Sequence, residues 1–163
     1  MNYTLAAGPE YRLHALDLGS PSDRVAPKLV TASHTLTNGT TFTFNATYQR
    51  QRPALLLANG SIYAGFGSFC DLSANVSRGW LPGWTAGSLA PFPSNQLLDQ
   101  QPTSPDTFFL SSIWMSGYGL ATDDAGNILF VKGEFRLFRF NIRRGHQHSG
   151  VRGEGFAHVN DGA

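Results

Sequence analysis

The chain has 163 residues, 41% hydrophobic and 14% charged, with a net charge of +1. That length suits one domain. The low charge argues against a solvated disordered protein, and the near-neutral balance offers no basic field for nucleic acid.

The predicted elements are strands. Tyr11, Leu13 and Ala15 alternate in YRLHALDL before Leu16 and Leu18 shift phase, and this period of two predicts the first strand. Phe42, Phe44, Ala46 and Tyr48 alternate in TTFTFNATYQ and predict another. In ALLLANGSIYAGFG an apolar run meets Asn59-Gly60 and resumes at Ile62-Tyr63. Asn-Gly tolerates the positive φ angles of a tight turn, which predicts a hairpin joining residues 55–57 to 62–64. Pro82, Pro91, Pro93, Pro102 and Pro105 predict that residues 82–107 are mostly loop, because proline cannot donate to a ladder. A second hairpin is predicted where Asp123, Asp124, Ala125, Gly126 and Asn127 turn between Leu120-Ala121 and residues 128–131. No segment carries a helical period, and short strands with tight turns and aromatic residues point to an all-β sandwich or propeller.

The composition breaks near residue 132. Residues 1–131 hold six Lys/Arg and eight Asp/Glu, a balance of −2, whereas residues 132–163 hold six and three, a balance of +3. All nine prolines lie at or before Pro105, and three of the five histidines follow residue 145. Residues 132–163 therefore read as an irregular, basic, Gly/His/Arg-rich tail. Within it, Phe135, Leu137, Phe138 and Phe140 predict one strand that extends the sheet entered by residues 128–131. No run of about 18 apolar residues reads as a membrane helix. MNYTLAAGPEYR shows neither the basic nor the apolar part of an export signal.

The strings YRLHALDL, RPALLLANGSIYAGFGSFCD and SSIWMSGYGLATDDAGNILFV resemble quinoprotein-like β-propellers, built from PQQ-type repeats. In that family a blade ends on a strand like the first string. The next opens like RPALLLANGSIY, and the following one carries an Ile-Trp segment and an Asp-x-x-Gly-Asn hairpin. The resemblance covers about residues 10–131, although the repeat turn after Asp17 reads LGSPSD and lacks the usual Thr-Gly and tryptophan. It implies consecutive antiparallel blades. Complete propellers have roughly 4–8 blades of roughly 40–50 residues, so residues 1–131 supply about three, an incomplete propeller. The tail departs from the family after NILFV. Read one base later with synonymous codons free, it matches the family's continuation, and residues 132–163 are accordingly read as the product of a shifted frame.

The resemblance implies a non-catalytic or remnant propeller fragment with at most a binding role. Its expected partners are the missing blades or a second copy meeting exposed strand edges, with no nucleic acid and no membrane. The alternative is part of a PQQ-dependent dehydrogenase oxidising alcohols or sugars, with PQQ and calcium as cofactors. A second alternative is a secreted carbohydrate-binding β domain. Members of the family usually work in the periplasm or outside the cell.

Each chemistry-bearing residue type also has an ordinary structural reading. Active members of the family place adjacent cysteines near the quinone and gather acidic and amide ligands around calcium. Cys70, the one cysteine, excludes a disulfide framework and reads as a small buried hydrophobe. Asp71 is the only acid between Asp23 and Asp99, short of the six to eight oxygens that calcium takes. Asp123 and Asp124 read as turn formers. His146 and His148 offer two imidazoles where zinc takes three or four ligands. Ser116 lacks the Gly-x-Ser-x-Gly elbow of a nucleophile. Trp80, Trp84 and Trp114 read as packing between sheets rather than as platforms for a sugar or quinone. No catalytic, cofactor-binding or metal residue is therefore assigned, and no cofactor is expected. Asn-x-Ser/Thr recurs at Asn2, Asn38, Asn45, Asn59 and Asn75, five of nine asparagines. Chance gives about one or two; the motif marks glycosylation acceptors in secreted chains, but turns and polar strand faces generate it too.

Overall fold

A computed structural model describes residues 8–68, 78–92, 96–98, 111–115, 117–132 and 136–140. Within these the chain is all-β, with antiparallel sheets and no closed barrel. The strands fall into three layers.

The N-terminal layer holds β1 (Arg12–Leu13) paired with β2 (Lys28–Leu29), and β3 (Ser33–Thr35) paired with β4 (Thr41–Thr43). The predicted alternation of Tyr11, Leu13 and Ala15 turns these three residues into the core, and Leu16 and Leu18 are left exposed. The alternation from Phe42 breaks earlier than predicted. Asn45 Oδ1 accepts the Thr47 amide at 2.9 Å and the Tyr48 amide donates to the Asn45 carbonyl at 3.0 Å, so a local turn replaces the ladder.

The central layer is one antiparallel meander. It contains β5 (Gln49–Gln51), β6 (Leu56–Ala58), β7 (Ser61–Tyr63), β8 (Phe66–Ser68), β9 (Trp80–Leu81), β10 (Gly83–Thr85) and β11 (Gln96–Leu97). β7 and β8 lie opposite β10 and β9 in a single unbroken register. Ser61 faces Thr85, Ile62 faces Trp84 and Tyr63 faces Gly83; the Ala64 amide donates to the Pro82 carbonyl, and Phe66 faces Trp80. β5 and β6 flank this ribbon on one side, with Pro53 interrupting them. Pro91 and β11 flank it on the other.

The hairpin at Asn59-Gly60 forms as predicted, with Leu56 opposite Tyr63 and φ of 51° and 72° at the two turn residues. Within the stretch expected to be mostly loop, residues 82–107, the described residues form β10, the Pro91 bridge and β11, with turn or irregular chain over residues 86–90. Pro91 is accommodated because it faces Trp84 at a position that exchanges no hydrogen bond. The Phe92 amide donates to Gly83 and the Thr85 amide to Ala90, so the missing N–H would have pointed away from the sheet.

The C-terminal layer consists of β12 (Ala121–Thr122), β13 (Ile128–Lys132) and β14 (Arg136–Phe140) in that order. The hairpin predicted at residues 123–127 joins the first two. A strand forms over Arg136–Phe140 where the aromatic alternation predicted one, and pairs along all of β13. Residues 141–163 of the expected tail lie outside the described residues.

Strand periodicity sends alternate side chains of the central sheet to opposite layers. Ile62, Ala64, Phe66, Trp80, Trp84 and Leu97 join the N-terminal layer in one core. Leu56, Ala58, Tyr63, Leu81, Phe92 and Leu98 join Ile113, Leu120, Ile128 and Phe130 in a second. Burial on both faces is why residues 62–66 are apolar without alternation, whereas Leu55 and Leu57 before the turn are exposed. In the first core Phe66 meets Phe44 and Tyr11 edge-on, at 5.0 and 5.3 Å between ring centroids, and Phe42 stacks on Trp80 at 5.9 Å. Leu89 holds a positive φ of 53° because the turn after β10 drives its side chain into that core.

Candidate functional site

One face of the N-terminal layer combines ion pairs with exposed apolar side chains. Because Tyr11, Leu13 and Ala15 turn inward, Arg12, His14 and Leu16 turn outward. Asp23 bridges to Leu16 across the hairpin, and its two carboxylate oxygens lie 3.1 Å from His14 Nδ1. The turn between them is tied by Asp17, whose Oδ1 accepts the Gly19 and Ser20 amides at 2.7 and 3.1 Å. Arg12 Nε donates to Glu10 Oε1 at 2.7 Å, and this bond and the carboxylate's charge hold the guanidinium's pKa above its ordinary value. Leu16, Leu18 and Leu29 stand exposed among these pairs. A second apolar group, Leu55, Leu57 and Tyr118, is exposed where Ala54 forms a parallel bridge to Gly119 at the β6 edge of the central sheet.

The imidazole and carboxylate at residues 14 and 23 orient one another as a base and its partner do. His14 Nε2 is buried and meets no hydrogen-bond partner among the described residues. The pair therefore ties a hairpin rather than addressing solvent. Sequence reasoning passed over it, although outward alternation at residue 14 and the Ser20-Pro21-Ser22 turn were signals for a cross-strand contact. It also passed over Arg78, which is buried with its guanidinium carbon 4.7 Å from the centre of the Phe42 ring.

The residues weighed from the sequence are dispersed. Asp123 accepts the Asn127 amide at 2.8 Å and Asn127 Nδ2 at 2.6 Å; its own amide donates to the Asn127 carbonyl at 3.1 Å, closing the turn. Asp124 is exposed in that turn. Trp80 and Trp84 are buried in the first core and are withdrawn from any ligand. Trp114 is half-buried with the Arg52 guanidinium 5.2 Å above its ring. Cys70, Asp71, Ser116, His146, His148, Asn2 and Asn75 lie outside the described residues. Among the described residues no three His, Cys, Asp or Glu side chains gather to hold a metal ion, and no helix is long and apolar enough to cross a membrane.

Tyr63 lies in the second core beneath the central sheet. Burial in the second core raises its phenol pKa, and a hydrogen bond with Ser61 lowers it in part. Its ring packs 5.9 Å from Phe92, as a core residue rather than a proton donor to a cleft. No protein-family model, curated protein or solved structure matches the chain.

Proposed function

We propose that the chain is a segment of a quinoprotein-like β-propeller that serves as an association module rather than as a catalyst. One observation carries the reading. The two middle strands of the central meander, residues 61–68 and 80–85, bury both faces against further β layers, which is the environment of a blade between two blades. An outer layer in such a stack has one face without a neighbour, and the exposed Leu16, Leu18 and Leu29 among ion pairs suit an inter-blade surface. The partner is a missing blade or a second copy of this chain. The dehydrogenase alternative would need acids available to calcium, whereas the Asp123 carboxylate is committed to Asn127.

Light scattering on the purified full chain tests the proposal. Association that grows with concentration is expected, and Leu16→Glu with Leu29→Glu is expected to reduce it while leaving the circular dichroism spectrum unchanged. A monomer at every concentration, or association indifferent to those substitutions, would refute it. Titration with PQQ and calcium is expected to show no binding, and saturable stoichiometric uptake would favour the dehydrogenase reading instead.

A further inference from the structure

Three of the five Asn-x-Ser/Thr motifs lie in described residues, and the fold treats them differently. Asn38 sits at the exposed tip between β3 and β4. Its Oδ1 accepts the Thr40 amide at 3.1 Å and the Thr40 hydroxyl at 2.7 Å. Asn45, exposed just beyond β4, accepts the Thr47 amide through Oδ1 at 2.9 Å. In both motifs the third residue is thus folded back onto the acceptor oxygen, while Nδ2 makes no hydrogen bond among the described residues. The space around the first tip is open, since a Cβ added at Gly39 would meet no atom within 4 Å.

The surface between these two asparagines is neutral and polar. Phe42 and Phe44 turn into the core, so Thr41, Thr43 and Asn45 turn outward, and across the hairpin Thr43 faces exposed Ser33 and Thr41 faces exposed Thr35. This face has no exposed leucine to cover, unlike the face of β1 and β2. Asn59 is placed otherwise. It is locked at φ 51° in a two-residue turn, its motif serine is a ladder residue opposite Thr85, and Nδ2 lies against Gly126, 2.8 Å from where a Cβ on that residue would stand.

We propose that Asn38 and Asn45 are attachment sites for N-linked oligosaccharide, and that Asn59, though exposed, is excluded by its two-residue turn and the ladder pairing of its motif serine. The donor class is a polyprenyl-pyrophosphate-linked oligosaccharide. A bond forms between Nδ2 and the anomeric carbon, the bond from that carbon to pyrophosphate oxygen breaks, the lipid pyrophosphate leaves with the electron pair, and Nδ2 gives up one proton. Attachment uses the nitrogen and spares the oxygen, so both turns keep their hydrogen bonds after modification.

The full chain, expressed behind a cleavable leader in a cell-free system with microsomes, tests this. The folded fraction is treated with peptide N-glycosidase in heavy-oxygen water, and the peptides are read by mass. Label is expected at Asn38 and Asn45 and not at Asn59. Thr40→Ala is expected to abolish label at Asn38 alone, Thr47→Ala at Asn45 alone, and Thr40→Ser to retain it. No label at either site, or label at Asn59 equal to theirs in the folded fraction, would overturn the proposal.

Discussion

Replacing Phe66 by alanine isolates the contact that joins the first two layers. The side chain is 0% exposed and meets Tyr11 and Phe44 edge-on at 5.3 and 5.0 Å, both from the N-terminal layer. Removing a buried phenylalanine costs roughly 3–5 kcal/mol, because the transfer energy of the ring is lost and the cavity closes only in part. Each edge-on pair accounts for about 0.5–1.5 kcal/mol beyond buried area. At about 2–4 °C per kcal/mol for a chain of this size, the melting temperature is expected to fall by roughly 6–20 °C. Thermal unfolding followed by near-ultraviolet circular dichroism measures the loss, and amide exchange locates it. Residues 11–44 are expected to lose protection before β12 and β13, which pack on the opposite face of the central sheet. Leu57→Ala is the control, since that side chain is 68% exposed and its loss is expected to stay within about 0.5 kcal/mol. A cost below about 1 kcal/mol for Phe66→Ala, or protection lost evenly across all layers, would refute the layered packing that the estimate rests on.

Three further outcomes are expected. Gly79→Ala would place a Cβ 1.9 Å from the Ser111 carbonyl oxygen, a backbone atom that cannot swing aside, so denaturant unfolding should show a loss of about 3 kcal/mol. Asp123→Ala removes the bonds to the Asn127 amide and side chain and leaves that buried amide poorly satisfied, a loss of about 1–3 kcal/mol, whereas the exposed Asp124→Ala should change stability by less than about 0.5 kcal/mol in the same urea titration. Burial lifts the Tyr63 phenol above its ordinary value of 10.0, so the folded chain keeps a proton that the unfolded chain releases; its contribution is intact below pH 10 and is lost as pH rises through the raised value. Urea midpoints between neutral and strongly alkaline pH should therefore fall less steeply in Tyr63→Phe, and an unchanged slope would contradict the assignment.

Short-range chemistry was legible in the sequence by itself. Asn59-Gly60 dictates a turn because few other pairs accept two positive φ angles in succession. The turn at Asp123 and Asn127 is closed by groups four residues apart, and Tyr11, Leu13 and Ala15 declare an inward face by alternation alone. All-β character follows from the sum of such signals. Which sheet face meets which layer was not legible. Residues 62–66 alternate between two cores, but because both are apolar the alternation disappears from the composition. The prolines were legible as residues unable to donate, yet only the ladder decides that the bond Pro91 cannot make lies on the side where β10 asks for none. The His14–Asp23 contact and the seating of the Asn59 amide against Gly126 likewise join residues brought together only when strands pair and layers stack. Turns are decided by the torsional preferences of a few adjacent residues. Layer contacts are decided by the burial of surfaces distant in sequence, which no local window contains.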